Sequence, residues 1–304
     1  MLSNDEVNKF KTIMADPETL DRAPLTIRSS DVEVRLAKNT QEVEAAQRLR
    51  YHVFYEERGA KPSSDISRMD VKRDTDKYDD IADHMIVVSK KENEGINGIV
   101  GTYRLLRQNV AEKHDGFYTS AEFDLGPILQ HNLSSLELGR SCVLAEYRTK
   151  PVIQLLWSGI SEYVMENDIG LLFGCASIPG TKIDEISGQL AYLHHFHHAP
   201  DSFCPVALTD RYVDMNLHDK DSINQRAVFS SLPPLFKGYL RIGCFIGDGA
   251  VIDHDFNTTD VCMILPMSLL TERYKKHYER KNRSREPERN ELSGKPPALN
   301  KRSE

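Results

Sequence analysis

The chain has 304 residues, with 39 lysines and arginines against 46 aspartates and glutamates and a formal net charge of −7. That length allows one large domain or two small ones, and 39% hydrophobic with 28% charged residues excludes global disorder and fibrous classes. No apolar run reaches the ~18 residues of a membrane-spanning helix, the start carries no signal-peptide pattern, and five scattered cysteines without a CxxC predict reduced, cytosolic thiols.

Residues 1–30 are polar and aperiodic and read as an arm. Alternation predicts a strand over Val32–Ala37. Asn39 with Glu42 makes a capping-box-like start for a helix through Glu57, closed by Gly59. Residues 60–80 form an Asp-rich loop, too long for a tight turn. Strands at 83–89 and 98–107 flank a turn-rich segment and read as a hairpin. A strand over 136–144, a helix over 150–166, an apolar strand over 171–177 and a helix over 183–198 follow. Pro233 to Pro266 offers one short helix and two strands. Hairpins first and helix-separated strands later predict an α/β fold, a mixed sheet flanked by helices. It spans one domain over 31–270. From Lys275 to Glu304 ten basic residues face five acidic ones, so residues 271–304 read as a basic, disordered tail on an acidic body. Such a tail can meet anionic lipid headgroups or an acidic protein, and nothing in the body suggests a nucleic-acid groove.

Several charges occupy core-like positions. Arg50 shares a helix face with Val43 and Phe54, and Arg104 sits mid-strand in Val100-Gly-Thr-Tyr-Arg-Leu-Leu106. Buried guanidinium cannot deprotonate, so it calls for carboxylates, which Asp74, Asp76, Asp79, Asp80 and Asp83 can supply. Glu137 and Arg140 lie three apart on a strand, which would set them on opposite faces unless the chain bulges at Gly139. A bulge would also free a backbone N–H for a ligand carbonyl. The expected result is a paired charge cluster beside a cleft.

A strand, bulge, strand, turn and long helix resemble the core of the GNAT acyltransferases. Leu49-Arg-Tyr-His-Val-Phe54, Asp76-x-x-Asp79, Gly101-Thr-Tyr-Arg-Leu105 and Glu137-x-x-Arg140 resemble the acyl-homoserine-lactone synthase branch. That branch has tryptophan where this chain has Ala60. Arg140-Ser-Cys-Val, Gly174-Cys-Ala-Ser177, Tyr192-Leu-His-His195, Pro233-Pro-Leu-Phe-Lys-Gly and Gly247-Asp-Gly are more similar to the longer bacterial ornithine N-acyltransferases, over residues 30–268.

The resemblance implies transfer of a 3-hydroxyacyl chain from acyl carrier protein to the α-amino group of L-ornithine, the first step of ornithine lipid synthesis. It implies no cofactor beyond the acyl-loaded carrier and a site at the inner face of the membrane. Glu137, oriented by Arg140, is the first candidate base, with Asp76 and Asp79 as substitutes and Arg50 and Arg104 completing the network. Equally, all of these can be structural members of that network. Backbone amides at Ser141, Cys142 and Val143 are the oxyanion candidates. Arg148 and Lys150 at a helix start are the donor-phosphate candidates, although Arg148-Thr-Lys-Pro-Val-Ile153 lacks the glycine-rich turn of GNAT relatives. Asp248 and Asp253 are candidates for the substrate amine. The His194-His-Phe-His-His198 cluster reads as solvated or amine-site histidines rather than a metal site, since no Glu or Cys completes a recognisable set nearby and the resemblance implies a family that is not metal-dependent. The rivals are a lactone synthase, an acyltransferase for another amino acid, and a non-catalytic acyl-carrier or lipid-binding module.

Overall fold

A computed structural model describes residues 26–28, 31–61, 72–91 and 95–268. Residues 1–25 and the whole of the tail lie outside them. Within the expected arm, Thr26–Arg28 form β1, which pairs antiparallel with β2 (Val32–Leu36). Helix α1 (Thr40–Tyr51) begins where the Asn39 side chain accepts the Glu42 N–H at 3.0 Å. It continues as a π-helical segment, His52–Glu57, before Gly59 ends it at φ +74°.

Strands β3 (Asp83–Ser89) and β4 (Ile99–Arg107) form the expected hairpin. After the short helices α2 (Gln108–Ala111) and α3 (Gly126–Leu129), separated by β5 (Phe123–Asp124), comes β6 (Ser135–Val143). Helix α4 (Lys150–Glu166) crosses over to β7 (Leu171–Pro179), which lies parallel to β6. Helix α5 (Ile183–His197), β8 (Val206–Ala207), α6 (Gln225–Ser231) and α7 (Pro234–Ile242) lead to β9 (Phe245–Ile246), β10 (Val251–Asp253) and β11 (Thr258–Pro266). The main sheet runs β1-β2-β3-β4-β6-β7-β11-β10 with β9 on β11, while β5 and β8 pair separately. This is the expected mixed, largely antiparallel sheet with helices on it. The two-residue strands and α2, α3 and α6 carry too short a pattern to be read from sequence.

Direct cross-strand partners share a face, so Met85 with Tyr103 points one way and His84 with Arg104 the other. Helix α4 covers the Met85 face. A Cβ at Gly159 would stand 2.9 Å from Met85 Sδ and Val34 Cγ1, which is why the helix can lie so close. Helix α1 covers the opposite face, burying Ala45, Ala46 and Leu49. A second apolar cluster of Tyr78, Leu106, Phe117, Phe123, Phe173 and Ile264 borders the charged positions described next.

Candidate active site

Arg50 is fully buried. Its Nη1 and Nη2 donate to Asp79 Oδ1 and Oδ2 at 2.9 and 2.6 Å, and Nη2 also donates to the Asp74 carbonyl at 2.5 Å. Its Nε lies 2.9 Å from Asp74 Oδ2 but off the hydrogen-bond axis, so that contact is electrostatic. Arg104 Nη1 reaches Asp76 Oδ1 at 2.5 Å and Asp79 Oδ1 at 3.1 Å. Arg140 Nη2 donates to Asp76 Oδ2, and its Nε pairs with Asp74 Oδ2, both at 3.2 Å. Three guanidiniums and three carboxylates therefore interlock with no net charge, which is how a sheet tolerates them inside. Burial pushes Asp76 and Asp79 up, but Arg104 and Arg140 on Asp76 and Arg50 on Asp79 outweigh it and hold both below the usual range. Carboxylates held that low are poor proton acceptors.

The expected bulge is present. Thr102 pairs with Cys142 and Arg104 with Gly139, so Arg140 and Ser141 together oppose Tyr103. The unusual backbone belongs to Arg140, at φ +50°, and not to Gly139. That twist lays the guanidinium over Tyr118 at 4.7 Å and Phe256 at 4.8 Å from the ring centroids. Glu137 does not meet Arg140 as expected. Its carboxylate accepts the Tyr118 and Thr119 amide N–H groups at 3.0 and 2.6 Å and pins that loop. Burial pushes Glu137 up, and these amides only partly offset it.

Beside this loop lies a second acidic group that sequence reasoning missed. Glu122 and Asp260 are both buried, and each has a carboxylate oxygen within 4.8 Å of the other's and of Cys175 Sγ. The Cys175 thiol donates to Glu122 Oε2 at 3.2 Å, and the Thr258 hydroxyl donates to Asp260 Oδ1 at 2.8 Å. Burial and then the neighbouring Glu122 push Asp260 up to about 7, and burial also raises Glu122. Burial followed by Glu122 drives Cys175 upward, so it stays a thiol. The register Cys175↔Cys262 and Ser177↔Asp260 places the cluster on one face of the β7–β11 pair, the face of Phe173.

Between β6 and β7 the sheet opens. They pair only at Ser135–Glu137 with Leu171–Phe173, although both run on for six further residues. A Cβ at Gly174 would overlap the Leu138 carbonyl oxygen, so only glycine fits where the strands part. The opening leads into a narrow apolar pocket lined by Leu138, Trp157, Ala176, Tyr239 and Met263. Tyr103 and Tyr239 join their hydroxyls, and the Tyr239 ring stands edge-on to Trp157 at 5.3 Å.

Other expected residues fall elsewhere. Arg148 is ion-paired with Glu57 and donates to the Val143 carbonyl at 2.9 Å, so its charge is already matched. Thr149 and Lys150 start α4, but nothing is described of the Lys150 side chain. Asp253 accepts the Asp255 and Phe256 amide N–H groups, both at 2.9 Å, and adds to the repulsion felt by Glu122 and Asp260. Asp248 instead faces His198 and Tyr212. All five cysteines are unpaired.

Residues 49–158 match the model described as an acetyltransferase (GNAT) domain. The chain is 43% identical to a Rhizobium meliloti (strain 1021) protein named L-ornithine N(alpha)-acyltransferase, over 83% of this chain and 85% of that one. A Brucella abortus (strain 2308) protein of the same name is 44% identical, over 83% and 90% respectively. The crystal structure of the acyl-homoserine-lactone synthase LasI aligns with a TM-score of 0.41 at 13% identity, covering 78% of this chain and 90% of that one. The chain is an acyltransferase, and it belongs to the L-ornithine N(alpha)-acyltransferase family.

Proposed function

We propose that the protein transfers a 3-hydroxyacyl chain from acyl carrier protein to the α-amino group of L-ornithine. The observation that carries this reading is the 43–44% identity with relatives of that name across most of both chains. The acyl chain enters the apolar pocket behind the β6–β7 opening, which places its thioester carbonyl at the bulge. There the bulge, where Arg140 and Ser141 oppose a single residue, offers a backbone N–H to the developing oxyanion. The Glu122–Asp260 pair takes one proton from the α-ammonium, a task suited to a carboxyl pushed up to about 7. The freed amine attacks the carbonyl carbon, the C–N bond forms and the C–S bond breaks. The amine's second proton passes to the departing phosphopantetheine thiolate. Arg140, paired with Asp74 and Asp76 and stacked between Tyr118 and Phe256, keeps the bulge in shape, and Glu137 holds the Tyr118–Thr119 wall.

A carrier-protein donor is favoured because residues 148–153 lack the glycine-rich turn suited to a coenzyme A pyrophosphate. No helix among the described residues is long and apolar enough to cross a membrane. Contact with anionic lipid is assigned to the basic residues after Arg273, and chain cut before that position should pellet less with anionic liposomes.

The test is incubation with 3-hydroxyacyl carrier protein or the matching coenzyme A thioester and a panel of amines, read by mass spectrometry. Acyl-ornithine formed from the carrier-bound donor is the expected product. Cyclised lactone, a different amide or no product would each overturn the reading.

A further inference from the structure

We propose that His194, His198 and Asp248 form a binding site for a divalent first-row transition ion of the zinc class. His194 and His198 stand one turn apart at the end of α5, so their rings share a face, with centroids 5.4 Å apart. Asp248 joins them from the Gly247-Asp-Gly249 turn, fifty residues away, where no sequence spacing could announce it. One ligand atom from each of the three lies within 4.8 Å of the others.

The tautomer is set for metal binding. His198 Nδ1 donates to the Ala199 carbonyl at 2.8 Å, which leaves the lone pair on Nε2. That nitrogen faces Asp248 Oδ1 at 3.7 Å, too long for a hydrogen bond but suited to two atoms sharing an ion. His194 Nδ1 is buried with no hydrogen-bond partner. The other histidines of the cluster are committed elsewhere: His195 Nε2 donates to the His218 carbonyl, and His197 Nε2 meets the Tyr192 hydroxyl. The cluster therefore divides into two spent rings and two available ones.

The carboxylate is held as firmly as the rings. The Asp248 backbone N–H donates to the Pro205 carbonyl at 2.8 Å, and the Asp248 backbone carbonyl accepts the Ala207 N–H at 2.9 Å. A Cβ at Gly247 would come 2.5 Å from the Pro205 oxygen, and one at Gly249, where φ is +76°, would overlap the Tyr212 ring. Both glycines thus serve to bring Asp248 against α5, and the Tyr212 hydroxyl supports its carboxylate at 3.3 Å. Two imidazoles and one carboxylate suit zinc-like ions and not calcium or magnesium, which prefer oxygen sets. Cys204 Sγ, 3.8 Å from His198 Nε2, adds a soft atom to the surroundings. Bound there, the ion would tie the end of α5 to the Gly247–Gly249 turn.

The test uses the untagged full-length protein, stripped with chelator and titrated with Zn²⁺ by calorimetry and with Co²⁺ by visible absorption. One ion per chain is expected, with Co²⁺ giving d–d bands. His198→Ala and Asp248→Asn should each weaken binding by more than about 100-fold, beyond the ~10–100-fold that loss of an outer-shell partner costs. His195→Ala should bind as the parent does, and circular dichroism checks that each variant is folded. Asp248→Asn is nearly isosteric, so it keeps the test decisive if His198→Ala fails to fold. No stoichiometric uptake, or equal uptake by the parent and a folded His198→Ala or Asp248→Asn protein, would overturn the site.

Discussion

Two sets of buried carboxylates share one face of the sheet and behave oppositely. Asp74, Asp76 and Asp79 are each matched by a guanidinium, and Asp76 and Asp79 are held below their ordinary range. Glu122 and Asp260 have no such match: Arg211 approaches only Glu122, at 3.4 Å, and both acids are pushed up. Burial alone does not decide what an acid can do. An ion-paired carboxylate is a fixed charge that shapes the scaffold, whereas an unmatched pair is a proton store near neutral pH.

The comparison breaks first at Arg50. Arg50→Met leaves Asp74 and Asp79 buried with less compensation and should cost about 3–5 kcal/mol in denaturant melts; a loss under ~1 kcal/mol would mean that the network is dispensable. Next, Asp260→Asn should lower kcat/KM by about 10²–10⁴-fold while the protein stays folded. The parent's kcat/KM should rise with pH through about 7 as Asp260 loses its proton, and the variant should lack that limb. An unchanged pH profile would remove Asp260 from the chemistry.

Stability should carry opposite signs in the two sets. Asp260 binds its proton more tightly folded than unfolded, so its contribution falls as pH rises from about 4 to about 7. Asp76 and Asp79 do the reverse: their contribution is complete above about pH 4 and is lost as pH falls below it. Melts of the parent and of Asp260→Asn across this range separate the two slopes. A smaller effect is expected from Glu122→Gln, which removes a negative neighbour and should move the activity limb to lower pH. Smallest of all is Gly139→Ala. Its Cβ would meet nothing within 4 Å and its φ is not left-handed, so melting should change by under ~0.5 kcal/mol.

How legible these regions were from sequence differs for the same reason. Arg50, Arg104 and Arg140 stand as charges in apolar surroundings, and a carboxylate partner can be demanded of them without knowing the fold. The bulge was foreseeable from the three-residue spacing of Glu137 and Arg140, but its strain falls on Arg140, because stacking between Tyr118 and Phe256 is a tertiary matter. Asp260 follows the two threonines that open β11 and looks like part of an ordinary polar start. Its partner Glu122 lies just before β5, far off in sequence, and only the fold brings the two together beside Cys175. Asp248 stands out in sequence only as an acid in a glycine turn, and its neighbours His198 and Tyr212 come from the fold. The two-residue strands and short helices offered no periodicity to read.

The π-helical segment after α1 has an evolutionary and engineering consequence. Its wide turn holds one residue more than a regular helix would over the same rise. Excising a single residue between His52 and Glu57 would let the helix run on regularly, but it would close the wide turn that carries Phe54 and Tyr55. Phe54 and Tyr55 could then no longer meet Phe256 as they do, at 5.8 and 5.9 Å between ring centroids. Chain length in this one turn is therefore a coordinate of the site, and insertions tolerated in surface loops should be rejected here.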